Sequence, residues 1–505
     1  MTKGARWAIG VMVVLVALVH VYAAGRYDLF RNELYFIMCG RHPAFGYVDQ
    51  PPIVPLLAAL MQVGGVNVWL ERLPAVLTAI AIVPLTVMFA QLLGASTRGA
   101  WLAAVAAASC SLVTAMFSWL STGTFEPFDF TLVAYLITRG MLRNEPRMYW
   151  WAGLVGGLAF ETKYTILLWV IGLALGVALF GPRSIFRSRD LWIGVGIAVV
   201  IALPNAIWQA AHGFPFLELV RNDNSGNLIG GPIGFVLQQT FIANVLLAPL
   251  WLTGIIAPFV SQRLAPFRFL AVTFVMMGVL IFVTHGKAYY FAGAYPTIFA
   301  LGAAACTMLP GILVGVWAVL TYANAALALP FVLPVLPPER LKFMYDHSAF
   351  KVRPMERAGF GAPIPQQLAD EFGWRDVARA VEGVYASLPP ADRQRAAIFG
   401  SNYGEAAAVD VYGHDLPPAI SGNNNYYLWG PRGYDGSVVI AINVDPAQWS
   451  AFCDSVRVVA HTGDSPYAMP YEVNRPIVLC RGMHPPLAAL WPTFKHYGIE
   501  NLGAP

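Results

Sequence analysis

Long apolar runs, each close to the length a helix needs to cross a bilayer, follow one another from residue 7 to residue 331 and then stop. Inside lipid, every backbone amide and carbonyl must be satisfied within the protein, so a chain with this pattern folds as a bundle of helices. The runs lie at 7–24, 72–93, 100–119, 127–142, 149–162, 164–181, 191–208, 240–260, 267–284, 291–308 and 311–331. They predict about eleven spans, and the closely spaced pairs at 149–181 and 291–331 leave room for one more or one fewer. With 57% of 505 residues hydrophobic and 12% charged, the composition excludes an ordinary soluble globule, in which roughly a quarter of residues are charged.

The first run follows Lys3 and Arg6 and has no small-residue cleavage site with a polar mature sequence behind it. It reads as a retained helix with a cytoplasmic N-terminus. Arg98, then Arg143 and Arg147, then Arg183, Arg187 and Arg189, then Arg263 and Arg268 fall in alternate loops, the bias expected of cytoplasmic loops. The segments 25–71, 120–126, 209–239 and 285–290 are then outer loops, and everything beyond about residue 335 lies on the same side.

From Pro337 onward Asp, Arg, Asn and Gly become frequent. The expected organisation is a transmembrane domain over 1–335, including a first outer loop at 25–71, and a water-soluble α/β domain over 336–505, entered through a Pro-rich linker at 332–365. Trp374 to Leu388 has helical spacing, and 396–399, 438–442, 456–459 and 477–479 read as short buried strands of a small mixed sheet. Cys453 and Cys480 lie in this domain, where an oxidising compartment permits a disulfide; packing as two small apolar groups is the alternative. No CxxC, HExxH, Walker loop or dinucleotide fingerprint occurs, so no motif indicates a metal or a resident cofactor, and the need for a divalent ion stays open. The net charge of +4 is spread over the loops and forms no nucleic-acid patch.

Chemistry concentrates just behind the first span, in YDLFRNELYFIMCGRHPAFGYVDQPPIVPLL at 27–57. Asp28, Glu33 and Asp49 beside an apolar phase stay ionised only when water, a cation or a substrate compensates them. A solvated connecting loop is the plainer reading. The segments FRNELYF at 30–36, GYVDQPP at 46–52, FEPFDFTLVAY at 125–135, TKYTILLW at 162–169 and GKAYYFAGAYP at 286–296 recur elsewhere as a set. In them the chain resembles the polytopic GT-C glycosyltransferases of family 39, the group holding protein O-mannosyltransferases and aminoarabinose transferases that modify lipid A. The tail pieces NYGEAAAVDVYG at 402–413, NNNYYLWGP at 423–431 and YAMPYE at 467–472 resemble the outer domain of one bacterial branch of that family.

The resemblance implies a bacterial inner-membrane enzyme that moves a sugar from a polyprenyl-phosphate carrier to an acceptor hydroxyl at the outer surface. The acceptor is lipid A, lipopolysaccharide core, another glycan or a protein. A polyprenyl phosphate leaves as a stable anion, so the chemistry asks for a base to take the acceptor's proton and for cations near the phosphate, and a single displacement inverts the anomeric centre. Most relatives carry an Asp-Glu pair in the first outer loop; here the pair is Asn32 and Glu33. An amide cannot accept the proton, so the base is Asp49, restrained by Pro51 and Pro52, or Glu33, or the two jointly. Asp49 as a helix cap is the structural alternative.

Asp129 orients the site in this reading, or pairs with Lys163 to hold helices together. Lys287, with His285, Tyr289 and Tyr290, is the candidate phosphate site, against snorkelling in an aromatic belt. Arg221 is a second candidate cation, beside a segment at 222–231 with the composition of a mobile loop, against an ordinary solvated Arg. Asn32, His42, Gln50 and Lys163 complete the expected substrate-binding set. Arg26, Arg31 and Arg41 face anionic headgroups or an anionic acceptor. The Asn423–Asn425 run with Tyr426, Tyr427 and Trp429 either contacts glycan or forms a turn. A transporter would show two related halves with broken midplane helices, which the sequence does not display. A pseudoenzyme is the other alternative, because of Asn32.

Overall fold

In the computed structural model, residues 2–222, 231–306, 309–348, 351 and 361–498 are described. The chain forms two compact units. One comprises Met1–Arg26, Arg72–Trp208 and Gly226–Val335; the other comprises Tyr27–Glu71, Gln209–Ser225 and Leu336–Pro505.

Among the described residues, the regular elements of the first unit are all helices. Each apolar run forms a helix, but several are broken. Among the described residues five helices are long and apolar enough to cross a membrane: Lys3–Ala24, Val68–Leu92, Arg189–Ala211, Ala265–Val283 and Gly311–Phe331. A sixth arises if Gly231–Ala243 and Val245–Val260, bent by 103°, count as one. The protein is a multi-pass membrane protein.

The physical reason for the breaks is local. The run 100–119 splits at Cys110 (φ −74°, ψ 105°), and the run 291–308 begins as the 3-10 helix Ala288–Ala294. Asn244 takes φ 106°, which halts one helix; its Nδ2 then donates to the carbonyls of Ser109 and Thr321, each at 3.1 Å, and its Oδ1 accepts from Leu246 N. A buried polar side chain thus satisfies the Leu246 amide freed at this break and the Ser109 carbonyl freed at the Cys110 break. The helices Met148–Phe160 and Arg189–Ala211 cross backbone to backbone at Gly153 and Gly194, where a Cβ on either glycine meets the other helix's main chain. Small residues permit such close crossings in lipid.

The second unit carries a four-stranded mixed sheet: β1 (Ala396–Gly400), β2 (Val438–Ile442), β3 (Cys453–His461) and β4 (Pro476–Met483), in the order β1-β2-β4-β3. β1 and β2 are parallel, so the chain between them must cross over, and it does so through helices Tyr403–Tyr412 and Asn424–Trp429. One face packs Ala397, Phe399, Val439, Ala441 and Val478 against Trp449, Leu487 and Trp491. The strands expected from sequence all form, but the third, read as buried at 456–459, is an edge strand with Val458 and Val459 exposed, because β3 pairs on one side only; the predicted helix spans Trp374–Ser387. A Cys453–Cys480 disulfide ties β3 to β4.

The segment 27–71 packs within this second unit. Arg31 N donates to Asp370 O (3.2 Å), the Arg31 guanidinium lies 3.5 Å from the Asp370 carboxylate, and Tyr471 OH donates to Asp370 Oδ1 at 2.7 Å. Asp28 accepts from Tyr412 OH (2.6 Å) and pairs with Arg375.

Candidate functional site

Asp49 sits in the turn before helix Ile53–Met61, and the dense protein around its half-buried carboxyl raises its pKa to about 6. The Tyr35 OH opposes that rise by donating to Oδ1 at 3.0 Å, and the nearby Asn424 side chain acts in the same direction more weakly. Tyr35 is fully buried on helix Arg31–Arg41, its ring 4.5 Å from that of Tyr403. Tyr403 OH in turn donates to Asn32 Oδ1 at 2.8 Å. The turn itself is pinned by Asn425, whose Oδ1 accepts from Val48 N (2.7 Å), and by Gln209, whose Nε2 donates to Tyr47 O (2.9 Å). Among the described residues no cation is bonded to Asp49. A carboxylate placed this way titrates near neutrality and can accept a proton.

Glu33 is placed differently. It is fully buried in the first turn of helix Arg31–Arg41, and its Oε2 accepts from Phe30 N at 2.8 Å. That is half of a capping box, a helix-starting role. Gln50 is buried, 1% exposed, and its side chain faces the Cys39 thiol. His42 ends helix Arg31–Arg41, donates from Nδ1 to Met38 O (3.0 Å) and stacks on Trp429 at 4.3 Å. Arg221 is exposed at the end of helix Pro215–Asn222, and the loop expected at 222–231 lies, from 223 to 230, outside the described residues.

A separate polar group belongs to the membrane unit. Lys163 Nζ pairs with Glu126 Oε2 at 2.8 Å, while Thr165 also donates to Glu126. The ammonium lies 4.3 Å from the Tyr290 ring centre and 5.4 Å from that of Tyr289. Lys163 therefore pairs with Glu126 instead of Asp129, because helix Glu126–Arg143 presents Glu126 to it at its first residue. Asp129 is half-buried on the same first turn, with no cation bonded to it among the described residues. Lys287 precedes the 3-10 helix Ala288–Ala294, after His285 in the left-handed region (φ 54°). Tyr289 and Tyr290, grouped with Lys287 by sequence, surround Lys163.

Sequence reasoning missed Tyr35 and Tyr403 as partners of the site, and it read the asparagine run as glycan contact or turn. The available signal was spacing, since Tyr35 follows Asn32 by three residues and so shares its helix face. Asn423, Asn424 and Asn425 are all buried and bonded internally. Among the described residues no group of three or more His, Cys, Asp or Glu is arranged to hold a metal ion.

Comparison with known proteins adds three findings. Residues 49–208 match the family model of dolichyl-phosphate-mannose-protein mannosyltransferase, a match that begins at Asp49. Over 191 residues the chain is 29% identical to the lipid A galacturonosyltransferase RgtD of Rhizobium johnstonii, a stretch covering 37% of this chain and 39% of that relative. In fold it is similar to apo ArnT from Cupriavidus metallidurans, with TM-score 0.61, 12% identity, and 95% of this chain and 98% of that one covered. The same protein bound to undecaprenyl phosphate gives TM-score 0.59 at 14% identity, covering 93% and 97%. The chain thus has the ArnT fold over nearly its whole length and, at 49–208, a sequence likeness to the mannosyltransferase family model.

Proposed function

We propose that the protein is a membrane glycosyltransferase that moves a sugar from a polyprenyl-phosphate carrier to a hydroxyl of a glycolipid on the non-cytoplasmic face of a bacterial inner membrane. The observation that carries this reading is the Asp49 carboxyl, hydrogen-bonded yet bonded to no cation, with its pKa raised to about 6 by burial. Two further facts support it: RgtD, the 29%-identical relative, acts on lipid A, and ArnT, the neighbour in fold, is known bound to undecaprenyl phosphate.

The chemistry follows from the leaving group. The acceptor oxygen forms a bond to the anomeric carbon as the bond from that carbon to the phosphate oxygen breaks, and the polyprenyl phosphate departs with the electron pair. The acceptor's proton passes to Asp49, and one displacement inverts the configuration. Asp129 orients the acceptor. Lys163, Lys287 and Arg221, with His285, Tyr289, Tyr290, Asn32, His42 and Gln50, bind the donor's phosphate and sugar. The donor lipid enters as a substrate, and the reading calls for no resident organic cofactor. The N-terminus is cytoplasmic and residues 336–505 are periplasmic.

The test is mass comparison of envelope glycolipids and glycoproteins between a deletion strain and its parent, with restoration by wild type but not by Asp49→Asn. Loss of one sugar mass from a glycolipid is the expected result. A change confined to glycoproteins makes the acceptor a protein, and no change in either overturns the reading.

A further inference from the structure

We infer that Tyr35 and Asn424 are positioning residues for Asp49, so that the α/β region helps to set the base as well as to pack against it. This rests on the proposed role of Asp49 as base. The argument begins with the direction of one proton. Asn425 N–H can only donate, and it donates to the Tyr35 oxygen at 3.2 Å. That occupies a lone pair of the phenol and leaves its O–H to point at Asp49 Oδ1, 3.0 Å away. A Tyr hydroxyl in water rotates; this one is fixed by a backbone amide from helix Asn424–Trp429.

The Asn424 side chain is aimed in the same way. Its Oδ1 accepts from Gly498 N at 3.0 Å, which leaves its NH2 as the group through which Asn424 favours the charged Asp49 carboxyl. Asn424 has φ 45°, a left-handed conformation that Asn adopts more readily than most residues. The next residue, Asn425, holds the backbone just before Asp49 through Val48 N. Two consecutive asparagines and one tyrosine therefore fix both the main chain and the carboxyl of the base. The titratable groups that face Asp49 among the described residues are Tyr35 and the buried thiol of Cys39, both on helix Arg31–Arg41 and neither charged at neutral pH.

A purely structural role for these residues predicts lower stability and nothing else. A positioning role predicts that the base itself titrates differently. In the purified full-length protein, the protonated-carboxyl infrared band that Asp49→Asn removes isolates this group. Its midpoint is expected near pH 6, and Tyr35→Phe, which keeps the ring against Tyr403, is expected to raise it by about one pH unit, the worth of one hydrogen bond to a charged group. Asn424→Gly, which tolerates the same φ, is expected to move it in the same direction and serves if Tyr35→Phe does not fold. With the donor and acceptor found by mass comparison, the acid limb of the kcat profile should move by the same interval, plateau kcat should fall about tenfold, and the donor KM should hold. Unmoved midpoints in both variants overturn the inference, whatever the rates. Full turnover by Asp49→Asn would instead remove the base assignment, and the infrared shifts would still report whether Tyr35 and Asn424 hold that carboxyl.

Discussion

Asp49 and Glu33 are both acids of the segment 27–57, and their surroundings differ. Glu33 accepts from the amide of Phe30, whereas Asp49 accepts from the Tyr35 phenol, whose O–H is held toward it. Glu33→Gln retains an acceptor for Phe30 N and is expected to keep transfer within a few-fold of wild type, while Asp49→Asn abolishes it; steady-state rates in membranes check both. Because folding raises the Asp49 pKa from its ordinary value to about 6, the folded state holds that proton more tightly and ionised Asp49 weakens the fold at neutral pH. Asp49→Asn is accordingly expected to melt no lower than wild type at pH 7.5, as thermal unfolding will show. Glu472 and Glu405 form a second buried acidic pair. Burial raises Glu405 to about 7 and Glu472 well above the usual range, with Asn402, Arg31 and Asp370 around them, and Glu472 Oε2 has no hydrogen-bond partner among the described residues. For acids with raised pKa, stability falls as pH climbs from the unfolded value of about 4.3 through the folded one. Glu472→Gln should therefore raise the melting temperature at pH 8 and change it little at pH 5.

At the scale of elements, breaks carry as much of the fold as helices do. A buried Asn at residue 244 turns one apolar run into two helices, and hydropathy has no means of seeing a φ of 106°. The crossing at Gly153 and Gly194 is equally local. Gly153→Val places side-chain atoms where the neighbouring main chain runs, so the detergent-solubilised protein is expected to lose several degrees of melting temperature. In the sheet, the Cys453–Cys480 bridge closes 27 residues between two adjacent antiparallel strands. Loop-closure entropy puts its contribution at about 3.5 kcal/mol, so paired Cys→Ser replacement should lower the unfolding free energy by a comparable amount, read from denaturant titration.

At the scale of the whole molecule, the sequence by itself determined the class: apolar runs that end near residue 331 and an alternating strand and helix pattern beyond it could satisfy their backbones only as a helical membrane unit and a mixed sheet. A fusion of alkaline phosphatase after residue 505 is expected to be active, as the arginine bias of alternate loops requires; an inactive fusion that is expressed would reverse the orientation. The motif at 46–52 was likewise legible, because an acid before two prolines is unusual in any apolar setting. What the sequence left open was partnership. Only the tertiary structure assigned Tyr35 and Asn424 to Asp49, gave Lys163 to Glu126 in place of Asp129, and joined residues 27–71 with residues 336–505 in one compact unit. The reason is physical: hydropathy and periodicity report where a side chain may reside, through transfer free energies that act residue by residue. Hydrogen bonds and ion pairs depend on distances of about 3 Å between groups hundreds of residues apart, and packing alone sets those.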